Sequence, residues 1–122
     1  MSPDERVKSI EVETTDYTAV GVLDEPGQGN ACHEYTVQNA QNGKTLLHVN
    51  FQNGPILEKG VNGAQNEDLL GILIHRLRGF QSGNFACREN ALALTKIEEA
   101  LMWLRYRTAE RRKRGVEGKN IK

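Results

Sequence analysis

Apolar and polar side chains alternate strictly in two neighbouring stretches of the chain. His33, Tyr35 and Val37 alternate with Glu34, Thr36 and Gln38, and after a turn Leu47, Val49 and Phe51 alternate with His48, Asn50 and Gln52. A period of two predicts a pair of half-buried strands joined as a hairpin. A two-residue Asn42-Gly43 turn would set Val37 against His48 and place polar groups opposite the apolar face. A three-residue loop of Gln41, Asn42 and Gly43, with Gly43 left-handed, instead pairs Val37 with Leu47, Tyr35 with Val49 and His33 with Phe51. The second register collects one apolar face and is the one predicted. Upstream, residues 17–23 (YTAVGVL) predict a strand closed by the turn-rich EPGQGN at 25–30. Residues 7–13 predict a first strand with Ile10 and Val12 on one face.

The period then changes. Residues 52–65 carry three glycines and a proline and read as a shaped loop. Asn66 is the expected N-cap of a first helix, with Glu67 and Asp68 suited to the positive end of its dipole. Leu69, Leu73, Leu77 and Phe80 form the expected apolar stripe, flanked by Leu70, Ile72 and Ile74, until Ser82-Gly83 stops the helix. A second helix is expected over about residues 85–114, with Leu94, Ile97, Leu101 and Leu104 facing inward. At 1.5 Å per residue the two helices measure roughly 25 and 45 Å, so the second overhangs the first and needs the sheet, another subunit or solvent beside its end. The fold class is α+β: an N-terminal antiparallel sheet followed by a C-terminal helical hairpin with a long second helix. Residues 1–65 make the sheet region and loop, and residues 66–122 the hairpin and a basic tail, within one structural domain.

Charge sharpens this picture. The chain has 122 residues and a formal net charge of zero, but the charge is segregated. Residues 1–43 hold eight acidic and two basic side chains, and residues 105–122 hold eight basic and two acidic ones. Two solvated ends of opposite sign would account for that. The alternative is that the acidic and basic ends meet, within a chain or between copies, leaving some arginines free for an anion. Cys32 and Cys87 are far apart and lack a CxxC spacing, which fits two small buried thiols in a reducing compartment better than a disulfide. Met1 is followed by polar residues, and no run approaches the ~18 apolar residues of a membrane span, so a soluble cytosolic protein is expected.

The candidate chemistry lies on the second helix. Arg107 and Arg111 are four residues apart and share a helical face, where two planar guanidinium forks suit a phosphate-bearing ligand. Dipole compensation at a helix C-terminus accounts for residues 111–114 but less well for Arg107, because that effect fades within a turn. Phe80, at the end of the first helix, is either core or a ring for stacking on a base. Asn90 sits in the first turns of the second helix, where its carboxamide either caps local backbone or reads a ligand. Seventeen residues separate Asn90 from Arg107, or ~25 Å on one helix. If both touch one ligand, they come from different chains packed antiparallel. His33, His48 and His75 are scattered, Glu98 and Glu99 point to different faces, and GVNG and GVEG lack the spacing of a phosphate-cradling loop. No nucleophile–base pair or metal-ligand cluster emerges, so no cofactor and no enzymatic activity are expected.

The ordered run FQNGP at 51–55, GVNG at 60–63, RLRGFQ at 76–81, ACRENALALT at 86–95, EEALMWL at 98–104 and RGVEG at 114–118 resembles the phage Thoeris anti-defence sponges of the first type. The resemblance covers about residues 33–118. It implies an N-terminal sheet, a C-terminal hairpin, and assembly through the hairpins as a dimer or hexamer. It also implies capture, without cleavage, of cyclic ADP-ribose isomers in the cytoplasm of an infected bacterial host. Some members also take up cyclic di- and trinucleotides of CBASS defence, the trinucleotides at separate sites. By position, the resemblance makes Phe80 the stacking residue, Asn90 the polar contact, and Arg107 and Arg111 the phosphate-binding arginines. Arg88 and Thr95 are the candidates for a separate trinucleotide site. Rival readings are a nucleic-acid-binding accessory protein using RRKR at 111–114, which the zero net charge disfavours, and an enzyme that degrades the same signal.

Overall fold

A computed structural model of the chain describes residues 6–122, and it divides into two compact units, one ending at Gly63 and the other spanning Ala64–Lys122. The first unit is a four-stranded antiparallel sheet in sequential order: β1 (Lys8–Ser9), β2 (Thr18–Val22), β3 (Glu34–Asn39) and β4 (Thr45–Asn50). A one-turn helix, α1 (Ile56–Lys59), follows within the segment read from sequence as loop. The second unit is a helical hairpin of α2 (Asn66–Gln81) and α3 (Arg88–Lys113). The α+β expectation holds.

The β3–β4 hairpin has the predicted register, reached by another route. Tyr35 pairs with Val49 and Val37 with Leu47, and Phe51 N–H donates to His33 O at 2.7 Å. The turn is one residue longer than expected. Asn39 and Lys44 close it, and the Asn39 carboxamide oxygen accepts from Gln41 N–H at 2.8 Å. Gln38 then pairs with Thr45 rather than Leu46, and the shift between Val37 and Gln38 leaves Leu46 as a bulge. The bulge absorbs the extra residue and restores the apolar pairs. Gly43 is left-handed at φ 75°, as the turn requires.

Two other expectations for the sheet need correction. The first strand covers only two residues of the stretch 7–13, and Val12 is exposed. Thr36, assigned to the polar face, is buried, at 3% exposure. Val7 explains this: a Cβ on Gly21, the β2 residue paired with Thr36, would come within 2.3 Å of Val7 Cγ1, so the chain leading into β1 covers that face. The acidic side chains of this unit find local partners. Asp24 accepts the backbone N–H groups of His33 and Glu34 at 2.9 and 3.1 Å, Glu25 pairs with Lys8, and Glu34 meets His48 at 2.7 Å. Partial burial, and then Asp24 and Glu25, push the Cys32 thiol up from its ordinary pKa. Cys87, expected to be buried, is exposed and has another role, described below.

The motifs FQNGP and GVNG close the loop after β4. Asn53 N–H donates to Asn62 Oδ1 at 2.8 Å, and Asn62 Nδ2 donates back to Asn53 O at 2.7 Å. Gln52 spans the same gap, accepting from Asn62 N–H at 3.0 Å and donating to Gly60 O at 2.8 Å. Gly63 lets the returning chain lie flush on Phe51 and Gln52, where an added Cβ would meet Phe51 C at 2.4 Å and Gln52 N at 2.7 Å.

The helix caps differ from those predicted. Gln65, not Asn66, is the N-cap of α2, and the Asp68 carboxylate accepts its backbone N–H at 2.8 Å. The α2 stripe centres on Ile74, the one buried hydrophobic residue of the hairpin, whereas Leu73 and Ile72 are exposed. On α3 the predicted inner residues Leu94, Ile97, Leu101 and Leu104 are all half-buried. α3 starts at Arg88 rather than near residue 85, because Cys87 is extended (φ −152°) and caps it, its sulfur accepting from Asn90 N–H at 3.4 Å. Gly63→Ala is expected to cost about 1–3 kcal/mol, because its clash is with backbone that cannot turn aside. A chemical-denaturation midpoint unchanged by this substitution would refute the close approach.

Candidate hairpin site and its relatives

The turn between α2 and α3 holds two candidate residues at one end of the hairpin. The Gln81 side chain brackets Cys87, donating to its carbonyl at 3.1 Å and accepting its N–H at 3.0 Å. Ser82 N–H and Oγ satisfy the last carbonyls of α2, so the reversal is closed by its own polar groups. This fixes Phe80, in the last turn of α2, and Asn90, in the first turn of α3, to the same end. The Phe80 ring is half-buried. The Arg76 guanidinium lies over it at 5.0 Å, and the Phe85 ring meets it edge-on at 6.3 Å. Asn90 uses its backbone N–H on Cys87, and its carboxamide has no hydrogen bond among the described residues. It is therefore a donor–acceptor pair open to a ligand.

Arg107 lies ~17 residues along the same helix from Asn90, about 25 Å away at the helical rise. It is exposed and has no ion pair among the described residues. Arg78 and Glu98, by contrast, pair at 2.7 Å and tie α2 to α3. Arg88 and Thr95, the second pair of candidates, are both exposed, seven residues apart on one face of α3; the Thr95 hydroxyl donates to Ala91 O at 3.0 Å. The structure thus places Phe80 and Asn90 at the same end of the hairpin and keeps Arg107 towards the other.

Arg111 has a different setting. It is 7% exposed and encircled by the tail that follows α3. Its Nε–H donates to Glu117 Oε2 at 3.2 Å. Its Nη2 donates to Val116 O at 2.9 Å and Lys119 O at 2.8 Å, and Nη1 donates to Ile121 O. Of five guanidinium N–H donors, four are engaged within the chain, so while the tail is docked no bidentate fork is left for a phosphate. The RGVEG motif explains the wrap. Gly115 and Gly118 are left-handed at φ 71° and 78°, turning the chain back so that three carbonyls converge on one side chain. Sequence spacing placed Arg111 beside Arg107 on a helical face, but it contained no sign that the tail would return to it.

Two residues beside Phe80 were also passed over. Arg76 precedes Phe80 by four positions, the spacing at which helical side chains meet, so their contact was readable in RLRGF. Phe85 was read as the start of the second helix but stands 75% exposed in the turn.

This architecture combines a small antiparallel sheet with a helical hairpin. The family described as Acb2/Tad1, hairpin domain, matches residues 44–109, more than half of the chain, and the chain belongs to that family. It is similar to "Thoeris anti-defense 1" of Bacillus phage SBSphiJ7, with 55% identity over 96 residues. That alignment covers 79% of this chain and 66% of the relative, so the chain spans just under two thirds of the protein it matches. Phe80, Asn90 and Arg107 fall inside the family's matched span, and Arg111 lies beyond it.

The two arginines are expected to separate in a stability measurement. Arg111→Ala orphans three tail carbonyls and Glu117, at an expected cost of about 2–4 kcal/mol, lowering the melting temperature by roughly 8–15 °C. Arg107→Ala is expected to stay within about 0.5 kcal/mol of the parent. Equal melting of the two variants would contradict the buried cage.

Proposed function

We propose that this chain is a phage immune-evasion protein that binds cyclic nucleotide signals and holds them uncleaved in the cytoplasm of the infected host. The ligands are cyclic ADP-ribose isomers, with the cyclic di- and trinucleotides of CBASS defence as a further class. Family membership and the similarity to a Thoeris anti-defence protein support this reading. The groups on offer also support it. Phe80 is a stacking surface, Asn90 a donor–acceptor pair and Arg107 a fixed cation, and none of them is a nucleophile or a proton-transfer group. Binding, not turnover, is what they can do.

The observation that carries the mechanism is the ~25 Å between Asn90 and Arg107 on one rigid helix. A single small nucleotide reaches both only if they belong to different subunits, with α3 packed antiparallel on a second copy. The outer side of α3 supports that packing: Leu92, Met102, Trp103 and Tyr106 are 48–58% exposed along it. Among the described residues only Leu23 and Ile74 are buried hydrophobic side chains, so a chain alone leaves much of its apolar surface in water. In the assembled dimer or hexamer, a base stacks on Phe80 and is read by Asn90, and the pyrophosphate meets Arg107 from the partner subunit. Arg111 has one N–H left and adds at most a single donor while its tail is docked. Cyclic trinucleotides use a separate site, for which Arg88 and Thr95 are the candidates.

Phe80→Ala and Arg107→Ala are each expected to weaken capture of glycocyclic ADP-ribose about 10- to 100-fold, as loss of a base stack or a charge-assisted bond implies, with the fold retained. Calorimetric titration of each variant measures this, and parent-like affinity in both would end the assignment. Refolding the two variants together tests the shared site. A mixed dimer rebuilds one intact site from Phe80 of one subunit and Arg107 of the other, so roughly a quarter of all sites should recover tight binding. No recovery would place the whole site in one chain. Ligand released by heating the complex should be intact; a cleaved product would mark an enzyme instead.

A further inference from the structure

Arg76 is placed differently from the other arginines of α2 and α3. It is exposed and forms no ion pair among the described residues, although Arg78, two positions on, is held by Glu98 at 2.7 Å. Its guanidinium lies over the Phe80 ring with the central carbon 5.0 Å from the centroid. Four residues of helix separate the two, so the α2 backbone sets their approach. Phe85, from the turn, stands edge-on to the same ring. A guanidinium over a ring in this way is planar, and its N–H groups remain free to donate outward.

We propose that Arg76 and Phe80 form the two walls of a base-binding slot, with a purine entering between the guanidinium plane and the ring. The proposal rests on the reading of Phe80 as the stacking residue. An inserted base needs a gap of roughly 7 Å, two contact distances of ~3.5 Å each. The observed separation is 5.0 Å, so the guanidinium has to move out by about 2 Å, which a rotamer change in an exposed side chain provides. Nothing else holds Arg76 in place among the described residues, whereas opening a slot beside Arg78 would break its pair with Glu98. With the base inserted, the outward N–H groups of Arg76 lie beside the ribose or phosphate attached to it. Arg76 thereby selects ligands that carry a planar base next to an anion. Lysine cannot replace it, because an ammonium is a point charge without a stacking plane.

Titration of glycocyclic ADP-ribose into the full chain and its Arg76→Ala, Arg76→Lys and Phe80→Leu variants tests the slot, with adenine absorbance followed alongside the heat. Melting of each variant is checked first, and an exposed Arg76 should leave it unchanged. Arg76→Ala is expected to weaken binding at least 10-fold and to reduce the loss of adenine absorbance that marks a base stacked on both faces. Arg76→Lys should recover little of either. Binding by Arg76→Ala within twofold of the parent, or full rescue by lysine, overturns the slot while a defective Phe80→Leu leaves the site itself standing. Parent-like binding by Phe80→Leu removes the site and the slot together.

Discussion

The unbroken helix α3 is the constraint on which the rest of the molecule depends. From Arg88 to Lys113 it contains neither glycine nor proline, so its rise is uninterrupted and its ends are held apart. Whatever is positioned by the inter-helix turn stays at one end, and whatever follows residue 105 stays at the other. The Gln81–Cys87 bracket and the Arg78–Glu98 pair lock α2 to this rod, so the Phe80 ring shares its register. No side-chain rotamer closes the distance from Asn90 to Arg107. In the proposed reading, a second copy of the rod, reversed, closes it, and self-assembly is then part of the binding chemistry.

Arginine serves two opposed purposes in this chain. Arg111 is buried, and its donors are spent on carbonyls that would otherwise face the helix end without partners. Arg107, one turn earlier, and Arg76, over an aromatic ring, keep their donors outward. A buried guanidinium satisfied on four of its five donors is rigid and stabilising; an exposed one is mobile and available. The same residue type therefore divides between buried, spent donors and exposed, available ones according to what the backbone returns to it.

Local rules accounted for elements and pairings more reliably than for their edges. The alternation around Tyr35, Val37, Leu47 and Val49 specified the hairpin register because a slip by one would turn every apolar side chain to the wrong face. It did not specify the turn, since a longer loop with a bulge at Leu46 satisfies the same pairs. The inner face of α3 followed from its period, but the stripe of α2 was assigned to Leu73 when Ile74 is the buried residue. Leucine and isoleucine occur on adjacent faces there, and periodicity alone does not choose between them. The placement of the candidate residues was legible where their spacing is helical, as for Arg107 on α3, and obscure where a cap decides the outcome, as for Cys87, whose sulfur sets the start of α3 and hence the place of Asn90.

The sequence by itself determined the α+β order, the β3–β4 pairing, the two helices and the ~25 Å between Asn90 and Arg107, because each follows from a repeat distance of the backbone. The family resemblance carried in its motifs was equally readable and is met by the match over residues 44–109. Only the tertiary structure decided that Thr36 is buried on the face that Val7 covers and that Arg111 is enclosed by its own tail. Each of these depends on a segment folding back to meet a side chain, and where a segment folds back is set by capping, left-handed glycines and packing, not by the period of the residues it covers.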